Sequence, residues 1–243
     1  AGLALVLALT ANAADKPATP PAPVVVKTAA DVLKRWVDAM GGEAAIRQNK
    51  TRLTKGSLEI PALSVNVTLT MLAKAPNKRV AIIEIPGVGE MKTICDGESA
   101  WRTNPQTGGL DEVRGEELVQ EKLEADYWLL IELEKRFPKM ELKPVQKVEG
   151  KDCHVVEASR GSGAPERFYF DIQTGLMVRR DAEAITPLGK LETETVFEDY
   201  REVSGVKVAH LVRRVRPEQT GFVFKTTEMK FNADLDDARF RKP

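Results

Sequence analysis

The stretch "LSVNVTLTM", residues 63–71, alternates without a break. Leu63, Val65, Val67, Leu69 and Met71 fall on one side, and Ser64, Asn66, Thr68 and Thr70 on the other. A period of two divides side chains between the two faces of a strand, so this segment is a half-buried strand. The same period recurs along the chain, interrupted by short turn-forming groups. "RLTKGSLEI" precedes it, with Pro61 at the turn, and "KRVAIIEI" follows Ala75-Pro76-Asn77. "EMKTIC" and "AWRT" flank Asp96-Gly97-Glu98, and further strands are expected at 141–149, 152–159, 166–171, 175–182, 190–201, 206–216 and 221–231. Glu149-Gly150, Gln173-Thr174-Gly175, Ser204-Gly205 and Gln219-Thr220-Gly221 supply the reversals.

Helical periodicity is confined to two places. In "TAADVLKRWVDAMGG", Thr28 and Asp31 mark a capped start, and Gly41-Gly42 marks the end. Val32, Leu33, Trp36, Val37 and Met40 make one apolar stripe between them, and a short helical turn, "EAAIRQ", follows. After a polar loop, "NPQTGGLDEVRG", a second helical region is expected from Glu116 to about Arg136, with Val119, Leu123, Tyr127 and Leu130 at helical spacing. "NADLDDARF" reads as a terminal capping turn.

This order of elements predicts an α+β, mainly β fold. An open sheet of about eleven or twelve antiparallel strands curls, and two helical segments are too few to cover it flat. The expected architecture is a strongly curved antiparallel sheet, a half-open barrel, closed on its concave side by a helical lid. Leu69, Met71, Ile83, Ile85, Trp101, Phe168, Phe170 and Phe197 would line the concave face, and the lid would bring Trp36.

Charge excludes several function classes. Among 243 residues, 36 basic side chains balance 36 acidic ones, leaving no global field for nucleic acid or an anionic membrane. Aromatic content of 6% argues against a base-stacking platform. Arg179-Arg180 and Arg213-Arg214-x-Arg216 are expected in cross-strand ion pairs with Glu192, Glu194 and Glu198 on the convex face, rather than in an anion site. Cys95, Cys153, His154 and His210 lack metal-ligand spacing, and Cys153 and His154 are neighbours on one strand and so face opposite ways. Without a nucleophile elbow, an H-E-x-x-H or a phosphate loop, neither catalysis, a metal nor a cofactor is expected. Two cysteines on well-separated strands are expected to stay unpaired.

The chain opens on "AGLALVLALTANA", residues 1–13, which reads as the remainder of a signal peptide ending in the A-x-A-like Ala11-Asn12-Ala13. That apolar run is about half the roughly twenty residues a membrane span needs, so no stable insertion is expected. Residues 14–28 carry Pro17, Pro20, Pro21 and Pro23 and read as a linker, leaving 29–243 as the folded domain. No cysteine lies near the cleavage site, so the expectation is a soluble protein of the periplasm.

A set of segments then occurs in order: "GGEAAI", "TKGSLEIP", "KAPNKRV", "CDGESAW", "GEEL", "VEGKDCHVVE", "FDIQTGLMVR", "EDYREVSGVKVAH" and "DLDDARFRKP". Together, from about Asp31 to Pro243, they resemble the bacterial outer-membrane lipoprotein-sorting proteins, the superfamily of the periplasmic carrier LolA and its receptor LolB. The resemblance implies an eleven-stranded half-barrel with a helical lid over a hydrophobic cavity that takes acyl chains. By position, Arg52 is the candidate for the carrier's lid-latching arginine. The expected function is therefore a periplasmic carrier for a lipid or lipoprotein acyl chain, with envelope proteins as further partners. Its expected ligand-binding residues are Leu33, Trp36, Val67, Leu69, Met71, Ile83, Ile85, Trp101, Phe168 and Phe170. The alternative is a structural or interaction module of the cell envelope whose barrel is packed solid. N-terminal sequencing of the mature exported protein should begin at Ala14, whereas retention of Leu3 to Leu9 would indicate a membrane anchor.

Overall fold

The computed structural model describes residues 26–61, 64–129, 131–161, 164–186, 189–216 and 219–242. The expectations for the signal segment and most of the linker lie outside these residues, as do Leu63 and Leu130. The chain begins with α1 (Ala29–Ala39) and α2 (Glu43–Gln48). The strands β1 (Thr51–Ile60), β2 (Val65–Lys74), β3 (Lys78–Ile85), β4 (Gly89–Cys95), β5 (Ala100–Thr103) and β6 (Leu110–Val113) follow. After α3 (Gly115–Ala125) and α4 (Leu133–Arg136) come β7 (Lys139–Val148), β8 (Lys151–Ser159), β9 (Glu166–Asp171) and β10 (Met177–Thr186). The last three strands are β11 (Gly189–Val203), β12 (Val206–Arg216) and β13 (Gln219–Phe231), before a single 3-10 turn at Asp237–Phe240.

All thirteen strands form one antiparallel sheet in the order β6-β5-β4-β3-β2-β1-β13-β12-β11-β10-β9-β8-β7. It consists of two meanders, joined where β1 pairs with β13. The edges β6 and β7 do not pair with each other, so the barrel is unclosed. Its curvature is visible in α3, which touches β3, β4 and β5 near one edge and β10 in the other meander. The strand beyond those expected is β6, whose "LDEV" falls in the expected polar loop. Only Val113 of its four residues is buried, so an edge strand of this kind leaves almost no period-two signal.

The predicted cap of α1 is present: the Asp31 amide donates to the Thr28 hydroxyl at 3.2 Å, and the Asp31 carboxylate accepts from the Thr28 amide at 2.9 Å. α1 lays Val32, Leu33 and Trp36 into a core with Val156, Phe168 and Phe170. The β11–β12 hairpin seats its far end. The Lys207 amide donates to the Met40 carbonyl at 2.8 Å. At Gly41, with φ +121°, a Cβ would strike the Gly205 carbonyl oxygen, so the turn at Ser204-Gly205 serves as a helix dock.

The outer face has its own core. Leu72, Val80 and Ile94 are covered there by Leu235 and Phe240 of the C-terminal segment. Asp237 holds that segment in place through Lys74 at 2.9 Å and Lys78 at 3.2 Å.

Cys95 and Cys153 are both free and buried, with eight strands between β4 and β8 in the sheet order. Burial pushes both thiols up, and Cys153 reaches about 11. A buried, protonated thiol is a poor nucleophile. Native protein should therefore resist alkylation near neutral pH, while denatured, non-reduced protein should titrate two thiols. A count of zero accompanied by an intramolecular crosslink would contradict the topology.

Candidate functional site

Two adjoining cavities lie between the concave face and the helices, of about 330 and 230 Å³. Met40, Arg52, Phe197, Val208 and Val212 border both. The smaller is lined by Trp36, Phe224 and four thioethers, those of Met40, Met71, Met177 and Met229. The chain has six methionines, so most of them converge on this one space. Its floor follows from strand register. Arg52 pairs with Phe231 and Thr54 with Met229, while Val212 stands opposite both Phe224 and Phe197.

The ten residues expected to line the site fall into three groups. Leu33, Trp36, Phe168 and Phe170 pack together under α1, with Trp36 5.9 Å from the Phe170 ring and 6.4 Å from Tyr200. Val67, Leu69, Met71, Ile83 and Ile85 cluster with Leu58 and Phe224 on the same concave face, farther along the sheet. Of these nine, Trp36 and Met71 border the smaller cavity and none borders the larger. Val67 and Ile85 instead edge a more open, mixed groove of about 570 Å³ that also carries Asn66, Glu84 and Glu90. That groove is larger than either cavity, but its lining draws on both sheet faces, so it is a rim and not an interior.

Trp101 does not belong to the site. It pairs with Ile94, whose neighbour is Val80, and packs in the outer core. Alternation is the reason: Ile94 and Val80 share a row with Leu72, one residue away from Met71 and so on the opposite face.

α3 also differs from its expected orientation. The apolar spacing placed Val119 inward, yet Val119 is 63% exposed. Leu118, Glu121 and Ala125 face the sheet instead. Glu121 accepts from Arg79 at 3.2 Å and from Arg102 at 2.8 Å. Glu117 pairs with Arg102 at 2.9 Å, and Glu124 with Arg79 at 3.3 Å. Two arginines projecting from the concave face set the helix rotation, and a weak apolar stripe yields to them. Burial works against the Arg102 charge, but Glu121 and Glu117 more than offset it and hold its pKa up. Burial likewise opposes the Glu124 carboxylate, and Arg79, Arg214 and Arg180 together keep it below its usual range. The expected long helix breaks after Ala125, where the Tyr127 amide donates to the Pro76 carbonyl at 2.9 Å and its ring turns to the larger cavity.

The arginine doublets divide between the faces. Arg179 pairs with Asp181 and Glu194, and Arg213 with Glu198 and Glu149, as an outer-face reading requires. Arg180 and Arg214 stand one residue on and border the larger cavity. Arg180 binds Glu166 through two nitrogens at 2.9 and 2.6 Å. Sequence reasoning assigned both doublets to the outer face, although the period that defines a strand requires them to split.

Cys153 lies in an outer-face core with Val155 and Tyr169, while His154 stands opposite Phe170 of the inner core. Among the described residues no group of three His, Cys, Asp or Glu side chains could hold a metal, and no helix is long and apolar enough to cross a membrane.

A curved, unclosed antiparallel sheet with helices lying in its concave side is a LolA-like fold. Three of the solved structures similar to it illustrate the match. A LolA superfamily protein from Nitrosomonas europaea superposes with a TM-score of 0.60 at 14% identity, over 89% of this chain and 99% of that one. A DUF1329 family protein from Desulfovibrio piger gives 0.61 at 13% identity, over 86% and 95%. A domain assigned to the outer membrane lipoprotein-sorting proteins, from Vibrio parahaemolyticus, gives 0.60 at 10% identity, over 86% and 97%. No protein-family model and no curated protein sequence matches the chain.

The charge clamp on α3 generates a direct expectation. Glu121 is 12% exposed and serves two arginines. Its replacement in Glu121→Ala should cost about 1–2 kcal/mol, below the value for a fully buried pair because Arg79 and Arg102 keep some access to water. Hydrogen exchange should accelerate across 115–129 while α1 stays protected, and Glu116→Ala, on the exposed side, should leave both unchanged. Equal loosening of α1 and α3 would mean that the ion pairs do not hold the helix individually.

Proposed function

We propose that the protein is a periplasmic binding or carrier protein for an apolar ligand, with an acyl chain held between the curved sheet and the helices. Its role is binding and not catalysis, and its partners are a lipid or lipoprotein acyl chain together with envelope proteins that deliver or receive it. The observation that carries this reading is the methionine-lined cavity. Thioether side chains are unbranched and polarisable, and they accommodate apolar ligands of varied shape without a fixed lock. The methionine-lined cavity alone is about 230 Å³, and with the adjoining space of about 330 Å³ it falls within the roughly 300–1,000 Å³ typical of ligand pockets. Each methylene moved from water into such a site contributes about 0.8 kcal/mol, so a short length of chain gives useful affinity before ordering costs. The LolA-like fold supports the reading at the level of architecture, and the name of the Vibrio parahaemolyticus domain supports lipoprotein sorting as the setting.

The test is titration with a fluorescent fatty-acid analogue. Wild-type protein should bind it saturably. Val212 borders both cavities, so Val212→Trp should fill them and weaken binding about tenfold or more, at a folding cost of about 1–3 kcal/mol that a thermal melt would report. Val215 is 44% exposed and borders neither, so Val215→Trp should bind as wild type does. Absence of saturable binding by the wild-type protein would replace the carrier reading with that of a packed envelope scaffold.

A further inference from the structure

The charges around the larger cavity are matched, with one exception. Arg180 is bound by Glu166, Glu124 pairs with Arg79, and Asp126 pairs with Arg136. Arg214 reaches the Thr195 hydroxyl at 3.4 Å and lies over the Phe222 ring. Arg52 has no carboxylate within ion-pairing distance among the described residues. It projects from β1 at the centre of the sheet, borders both cavities, and stands 5.9 Å from the centre of the Tyr127 ring. Burial pushes its pKa down, Tyr127 opposes that shift, and Arg79, of like sign, adds to it, with no carboxylate to offset the effect. A buried charge is ordinarily paired, because leaving water is costly.

Tyr127 poses the complementary problem. Its hydroxyl is sealed from solvent and has no hydrogen-bond partner among the described residues. Burial pushes its pKa up, so near neutral pH the group is a phenol and donates. Two donors therefore share one cavity wall, one of them charged, and the neighbouring Asp126 carboxylate is engaged by Arg136 and meets neither of them. A neutral acceptor would satisfy the phenol and leave the guanidinium uncompensated. A carboxylate or a phosphate satisfies both, and guanidinium geometry suits either.

We propose that the cavity selects amphiphiles whose apolar chain ends in an anionic headgroup, the headgroup held by the Arg52 guanidinium and the Tyr127 hydroxyl, and the chain by the methionine-lined space beside them. This rests on the carrier reading above and narrows it to a class of ligand. The arrangement gives the site direction. Arg52 stands where the two cavities adjoin, so a chain entering the smaller one leaves its head at the boundary.

The experiment compares lauric acid, lauryl phosphate and lauryl alcohol by displacement of the fluorescent probe from delipidated full-length protein. The three share a chain and differ in the head. At least one anion should bind about tenfold more tightly than the alcohol, and whichever anion binds more tightly identifies the headgroup chemistry. In Arg52→Met, a substitution of similar length, that preference should vanish while affinity for the alcohol stays the same. Should Arg52→Met fail to fold, Tyr127→Phe removes one oxygen and should weaken the anion about three- to tenfold without affecting the alcohol. Equal affinities for all three ligands in the wild-type protein would overturn the headgroup assignment and leave the carrier reading standing. Equal losses for anion and alcohol in either variant would also overturn it, by making that residue structural. No saturable binding of any of the three would overturn both.

Discussion

β1 and β13 pair in the middle of the sheet, the first strand of the chain against the last, and the cavity depends on that pairing. Each meander alone is a set of local hairpins that can form from its own turns. Joining them requires two strands far apart in sequence to find one register, which carries the largest ordering cost in the fold. The register is well specified. At the bulge between Lys55 and Gly56, a Cβ on Gly56 would meet the Lys225 carbonyl oxygen and lie 2.8 Å from the Phe224 ring. Glycine is what allows the strands to close there. A slip of one residue would turn Arg52 and Thr54 outward and move Leu53, now part of the outer core, into the cavity.

The architecture was legible because it depends on period two and on turn chemistry, and both are local. "LSVNVTLTM" announces β2, and Ser204-Gly205 announces the β11–β12 reversal, without reference to the rest of the chain. The capped α1 is legible for the same reason, since Thr28, Asp31 and Trp36 lie within a few turns of one another. What was hidden is what depends on distant partners. β6 has one buried side chain and borrows its regularity from β5. α3 takes its rotation from Arg79 and Arg102, on strands that precede it. Trp101 was assigned by size and hydrophobicity, but its face is decided by its register with Ile94.

The site itself was legible only in part, and the omissions have one cause. The expected lining was chosen as the large apolar residues of the clearest strands, which are the residues that fill a core. Phe168 and Phe170 are 0% and 1% exposed because Leu33, Trp36 and Phe137 are packed onto them. Space remains where packing is less complete, and its walls are Met177, Val208, Val212 and Met229, on strands with weaker or irregular alternation. Unbranched apolar residues such as Met177 and Met229 are the available signal, and aromatic bulk marks where packing is complete instead.

The interior is consequently divided by chemistry as well as by position. Under α1 the contacts are apolar and tight, and they tie the helix to both the sheet and the β11–β12 turn. Under α3 a small apolar patch, Leu118 and Ala125 on Cys95, Ala100 and Val113, is flanked by ion pairs, and the cavity wall beside it carries arginines from β1, β10 and β12. Apolar packing resists separation through the hydrophobic effect, whereas a partly exposed ion pair exchanges its partner for water at modest cost. The two helical segments therefore have different standing in one fold: α1 completes the core, and α3 covers a cavity whose charges water can reach once the helix moves. Local stability in a protein follows such differences in buried apolar contact. The chain places its weakest apolar contacts over the space that a ligand would have to enter, and its strongest under α1, against β8 and β9 of the second meander.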